Sequence, residues 1–147
     1  MSALEAIAVR PATERDAARI AELTGELGYA ASLDETLQRL HQLADQPDHA
    51  VLVADAGGRC VGWIHVCVVP SLESDAFAEI RGLVVTESRR GGGVGTALIN
   101  AAERWAADRS CARLRVRSNV KRLPTHQFYL QRGYSLAKEQ KVFDKLL

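Results

Sequence analysis

The stretch Leu83-Val84-Val85-Thr86-Glu87-Ser88-Arg89-Arg90-Gly91-Gly92-Gly93-Val94-Gly95-Thr96 puts four glycines into five positions beside two arginines. Glycines remove the Cβ atoms that would hold a ligand off the backbone. A β-type run feeds the stretch, and a helical stripe leaves it, with Val94, Ala97, Leu98, Ala101, Ala102 and Trp105 on one face. The glycines therefore open onto a helix N-terminus, where amide N–H groups and the positive end of the helix dipole make an anion site. A phosphate or pyrophosphate is the natural occupant. Two common nucleotide loops are absent. A Walker loop needs Gly-Lys-Ser/Thr after four residues, and no lysine lies here. The dinucleotide pattern G-x-G-x-x-G also fails, because its last place is Thr96 when read from Gly91 and Leu98 when read from Gly93. Both absences argue against nucleotide hydrolysis and nicotinamide binding.

Leu83-x-Val85 followed by Arg90-x-x-Gly93-x-Gly95 resembles the coenzyme A loop of the Gcn5-related N-acetyltransferase (GNAT) superfamily. A second stretch agrees: Asn119, Phe128-Tyr129 and Gly133-Tyr134 stand where that family carries an Asn and two aromatic pairs. Glu87 stands where the family often has Pro, and Gly92 where a basic residue is common. Asn119 and Tyr129 are ten residues apart, a longer spacing than usual. The resemblance implies acetyl-CoA as co-substrate. Leu83, Val84 and Val85 would line the pantetheine arm as an added strand would. Arg90, Gly91, Gly92, Gly93, Val94, Gly95 and Thr96 would cradle the phosphates, and Asn119 would complete the coenzyme site.

The reaction so implied moves an acetyl group directly onto a primary amine. An amine with pKa about 10.4 is neutral in only about one molecule in 2,500 at pH 7, a deficit of roughly 4.6 kcal/mol. A carboxylate, acting directly or through water, can take the proton. Glu79, in Phe77-Ala78-Glu79-Ile80, is the candidate base; regular alternation would put it on the same strand face as Leu83 and Val85. The resemblance makes Tyr129 the acid that protonates the leaving thiolate, and a strand-end N–H, that of Val85, the oxyanion donor. No Cys or Ser is placed as an obvious nucleophile. The alternative is an acyl-CoA-binding sensor that has lost catalysis.

The elements that must position these groups follow from periodicity. Strands are predicted at Ile7–Arg10, Ala50–Ala54, Arg59–Val69, Ala76–Val85, Ala112–Arg117, Tyr134–Lys138 and Lys141–Leu146. Helices are predicted after the N-cap pairs Thr13/Asp16 and Ser32/Glu35, after the glycine loop, and from about Pro124 to Gly133. This order implies an α/β (α+β) fold, and the resemblance makes it a mixed, mostly antiparallel sheet flanked by about four helices. Without linkers or repeats, residues 1–147 read as a single N-acetyltransferase domain.

The chain has 147 residues, 47% hydrophobic and 25% charged, with net charge +1. That balance gives no general attraction to nucleic acid or to an anionic membrane. The basic alternation of Arg113, Arg115 and Arg117 lacks interleaved aromatics and reads as a wet sheet face. No run is long enough to span a bilayer and no signal peptide is evident, so a cytoplasmic location is expected. Three cysteines cannot form a complete intrachain disulfide set, and Cys60 and Cys67 would lie on opposite faces of one strand. His41, His49 and His65 form no cluster, so no metal is expected. The resemblance places the acceptor groove around Gly25 to Asp34 and late loops, where Asp34, Glu35, Glu73, Asp75 and Glu139 would suit a cationic amine. Aminoglycoside, polyamine, amino acid and protein amine all remain open as acceptors. The terminal strands could mediate a homodimer.

Overall fold

The structure is a computed structural model that describes residues 6–118 and 120–147. Strands β1 (Ile7–Pro11), β2 (His49–Ala56), β3 (Arg59–Val69), β4 (Phe77–Val85) and β5 (Leu114–Val116) form one sheet in chain order. The first three pairings are antiparallel and β4–β5 is parallel. A parallel step needs a crossover, and helix α3 (Val94–Asp108) supplies it. Helices α1 (Ala17–Glu26) and α2 (Leu33–Ala44) lie between β1 and β2 in the chain, and α4 (Leu123–Gln131) follows β5. The mixed, mostly antiparallel sheet and four helices expected from the sequence are present.

The caps work as the side chains dictate. Ser32 and Glu35 exchange hydrogen bonds at 3.0 Å each, which fixes the start of α2. Thr13 and Asp16 form the equivalent box one turn before α1, where the backbone first makes a single 3-10 turn, Glu14–Asp16. Arg10 holds that turn to the sheet, reaching Asp16 at 2.8 and 2.9 Å and Asp55 at 3.1 Å.

Ile20 and Leu23 of α1 pack with Val53, Cys60 and Val84, and Leu27, Leu40 and Trp63 close around them. The opposite face meets α3: a Cβ on Gly62 would lie 3.1 Å from side-chain atoms of both Val94 and Leu98. On the α1 face the edge of the Trp63 indole abuts β4 at Gly82. A methyl group on Gly82 would come within 2.8 Å of its Cη2 atom, so only glycine fits there.

Two single-residue bulges change which side chains share a face. Between β3 and β4, His65 opposes Gly82 while Val66 opposes Ile80, which leaves Arg81 as the extra residue. Glu79 therefore does not share a face with Leu83 and Val85, as regular alternation predicted; it lies with Gly82 and Val84 on the α1 side. Val61 is the extra residue in the β2–β3 pairing, since Ala54 opposes Gly62 and Asp55 opposes Cys60. Cys60 and Cys67 consequently lie on the same face rather than on opposite ones.

The chain divides into two compact units, one ending at Val116 and the other running from Arg117 to Leu147. In the second, α4 carries Pro124 in its first turn and is followed by Gly133 at φ +88°. Tyr129 packs edge-on to Phe128 and Tyr134, with ring centroids 5.2 and 5.5 Å away. The two terminal strands predicted for Tyr134–Lys138 and Lys141–Leu146 are not formed. Residues 135–147 are exposed and join no ladder among the described residues. Alternation supplies a strand's side chains, but a strand exists only with a partner.

Candidate functional site

Strand β4 ends in a corner whose backbone groups face a defined direction. The N–H of Thr86 donates to the Val61 carbonyl at 2.9 Å, so Thr86, Val84 and Gly82 turn their backbone groups toward β3. Leu83 and Val85 turn theirs to the opposite edge. On that edge β5 pairs only with Ala78 to Ile80, and the ladder stops there. Leu83 thus presents its N–H and C=O, and Val85 its N–H, beyond the end of β5, which is what an extended pantetheine arm requires. The Val84 side chain points away, buried in the α1 cluster.

After Thr86 the chain makes one 3-10 turn, Glu87–Arg89, and reaches the glycines. Gly91 and Gly93 have φ values of +82° and +89°, a region closed to most side chains, and no atom lies within 4 Å of a Cβ built on either. Conformation, not crowding, demands glycine there. The first rung of α3 runs from the Ala97 N–H to the Gly93 carbonyl at 3.0 Å, so the amides from Gly93 to Thr96 precede the helical ladder. Arg90 folds back, its Nε donating to the Val85 carbonyl at 3.3 Å. The corner therefore joins an open strand edge, a glycine cradle and an arginine, and these fit a phosphate-bearing, amide-rich ligand.

Glu79 is 3% exposed, directly opposite Cys67 on β3 and Arg115 on β5. Arg81, half-exposed, pairs with it at 2.8 Å. Arg115 stacks on Phe77, 4.5 Å from the ring centroid, and His49 Nδ1 lies 2.9 Å from His65 Nε2. This polar row on the α1 face was not legible in the sequence, because it is assembled from four strands. Burial pushes the Cys67 and Cys60 thiols up, which keeps them protonated and poorly nucleophilic at neutral pH. Tyr129, in the second unit, is pushed up to about 12 by burial and so retains its proton across the physiological range. Asn119 lies outside the described residues.

Sequence reasoning also missed a clamp on the corner. Glu26, the last residue of α1, accepts from the Glu87 N–H at 3.0 Å and from the Thr86 hydroxyl at 3.3 Å. Arg19 donates to the same hydroxyl at 3.3 Å and to the Cys60 carbonyl at 3.0 Å. No local signal could have found this, because partners sixty residues apart leave no periodic trace.

The sequence model of the Acetyltransferase (GNAT) family matches residues 17–134, spanning the corner, Glu79 and Tyr129. The chain belongs to the GNAT acetyltransferase family. It is an acetyl-CoA-dependent N-acetyltransferase, with acetyl-CoA as co-substrate. An aminoglycoside N(6')-acetyltransferase type 1 of Stenotrophomonas maltophilia is 33% identical over 131 residues, covering 86% of this chain and 84% of that protein. A protein of the same description from Klebsiella aerogenes is 31% identical over 102 residues, 67% of each chain. The crystal structure of an aminoglycoside 6'-N-acetyltransferase from Acinetobacter haemolyticus superposes with TM-score 0.81 at 24% identity. That match covers 95% of this chain and 99% of the other, and it shows a common fold. Among the described residues no helix is long and apolar enough to cross a membrane, and no cluster of three His, Cys, Asp or Glu could hold a metal ion.

Proposed function

We propose that this GNAT enzyme acetylates the 6'-amine of an aminoglycoside or a closely similar small polycationic amine. The observation that carries the reading is the 33% identity, over most of both chains, to a protein described as an aminoglycoside N(6')-acetyltransferase. The buried Glu79 carboxylate supports it, because a cationic amine needs a group that takes its proton. In the proposed reaction Glu79 accepts that proton directly or through water, and the Val85 N–H stabilises the charge that develops on the carbonyl oxygen. Tyr129 returns a proton to the departing sulfur. Leu83 and Val85 contact the pantetheine arm while Val84, facing β3 and the core, fixes the strand between them; Arg90 to Thr96 hold the phosphates, and Asn119 completes the coenzyme site. Residues 1–147 act as one cytoplasmic catalytic domain. The exposed apolar side chains of residues 134–147, spaced as in strands, support a homodimer.

The test is release of free coenzyme A with an aminoglycoside bearing a 6'-amine, against an analogue with a 6'-hydroxyl. Turnover with the amine alone supports the assignment. Equal turnover with both, or none with either while a polyamine or peptide amine reacts, would reassign the acceptor.

A further inference from the structure

We propose that Glu26 is a positioning residue for acetyl-CoA, acting through Thr86 on the corner where β4 ends. The inference rests on the reading of that corner as the coenzyme site. Thr86 is 6% exposed, and its backbone and side chain are tied to different elements, β3 and α1. Its N–H is anchored to Val61 of β3. Its hydroxyl accepts from Arg19 and donates to Glu26, both at 3.3 Å, and the order is fixed because a guanidinium only donates and a carboxylate only accepts. The second oxygen of Glu26 takes the N–H of Glu87, the first residue of the 3-10 turn, as an N-cap does, but from another helix. Glu26 therefore sets the direction in which the chain leaves β4. That direction fixes the glycine cradle ahead of it, while the Val85 edge behind it is held by β3 through the Thr86–Val61 bond.

The placement is electrostatically perverse unless it has such a role. A carboxylate near a site for phosphates repels the ligand, and neutralising it should tighten binding if charge were its only effect. A positioning role makes the opposite prediction for truncation. Glu26→Ala deletes both charge-assisted hydrogen bonds, one of them from a backbone amide, whereas Glu26→Gln keeps a carbonyl oxygen that can accept one of them.

Acetyl-CoA dissociation constants measured by calorimetry on the full chain, well below each variant's melting temperature, separate the cases. The expected result is about a 10-fold weakening for Glu26→Ala and less than about 3-fold for Glu26→Gln, with kcat at saturating substrates held within about 2-fold. Thr86→Val should reproduce the alanine variant, and Thr86→Ser, which keeps the hydroxyl, should not. Unchanged or tighter binding in Glu26→Ala, while Gly93→Val loses binding, would overturn the role of Glu26 and leave the coenzyme site standing. Unchanged binding in Gly93→Val as well would instead overturn the corner as the coenzyme site, and the role of Glu26 with it.

Discussion

The corner between β4 and α3 and the segment 134–147 both carry backbone that no neighbouring strand covers, and they handle it differently. At the corner the exposed groups are few and aimed: Leu83 and Val85 face one edge, Gly91 and Gly93 hold a conformation other residues resist, and Glu26 and Arg19 brace the exit. In residues 135–147 the whole segment is exposed, with apolar side chains such as Phe143 at 85% standing in solvent. The first arrangement is a rigid cradle for something small. The second has the composition of a sheet strand without a sheet, which suits assembly rather than chemistry. The contrast teaches that unpaired backbone is informative only together with what stiffens it.

The contrast is sharpest when each region is damaged in turn. Glu79→Gln, on the strand leading into the corner, should lower kcat by about 100-fold or more while acetyl-CoA binding stays within about 2-fold. An unaltered pH–rate profile in that variant would remove Glu79 from the role of base. Gly93→Val forces a β-branched residue to φ +89° and should weaken acetyl-CoA binding by about 100-fold, read by calorimetry. Phe143→Asp with Leu146→Asp should leave acetyl-CoA binding unchanged and shift the solution mass from dimer to monomer by light scattering. A loss of coenzyme affinity in that pair would erase the division of labour between the regions. Tyr129→Phe should cost turnover about 10-fold, since a thiolate departs tolerably without an acid.

The smallest expected effect concerns stability. The His65 imidazole, half-buried beside His49 and Arg81, is pushed down from 6.5 to about 4 by desolvation and by those two neighbours. On acidification the unfolded chain binds its proton near pH 6.5, and the folded chain binds one only near pH 4. Stability present above that window is therefore lost as pH falls through it, by on the order of 1 kcal/mol after allowing for partial exposure. His65→Phe should flatten the Tm–pH curve between those limits; an unchanged slope would assign the effect to another group.

What the sequence revealed follows the range of each interaction. The glycine corner, the Ser32/Glu35 and Thr13/Asp16 boxes and the strand-to-helix order are local, and each was legible. Arg81 and Val61 were not recognised as bulges, because an extra residue is defined only against the partner strand, and each one reversed a facing argument drawn from alternation. The Glu26–Thr86 clamp and the row from His49 through Cys67 and Glu79 to Arg115 come from distant parts of the chain. The terminal segment misled in the other direction. Its alternation is real, but the partner that would turn it into a strand is not encoded by alternation.

The close approach of the Trp63 ring edge to Gly82 gives the enzyme a built-in optical probe. One of the two indoles rests on the strand whose free edge begins at the next residue, Leu83, while the other, Trp105, lies on α3 with the Arg109 guanidinium 4.0 Å from its ring centroid. Emission from Trp63 therefore responds to any adjustment of β4, and a Trp105→Phe chain would carry that signal alone.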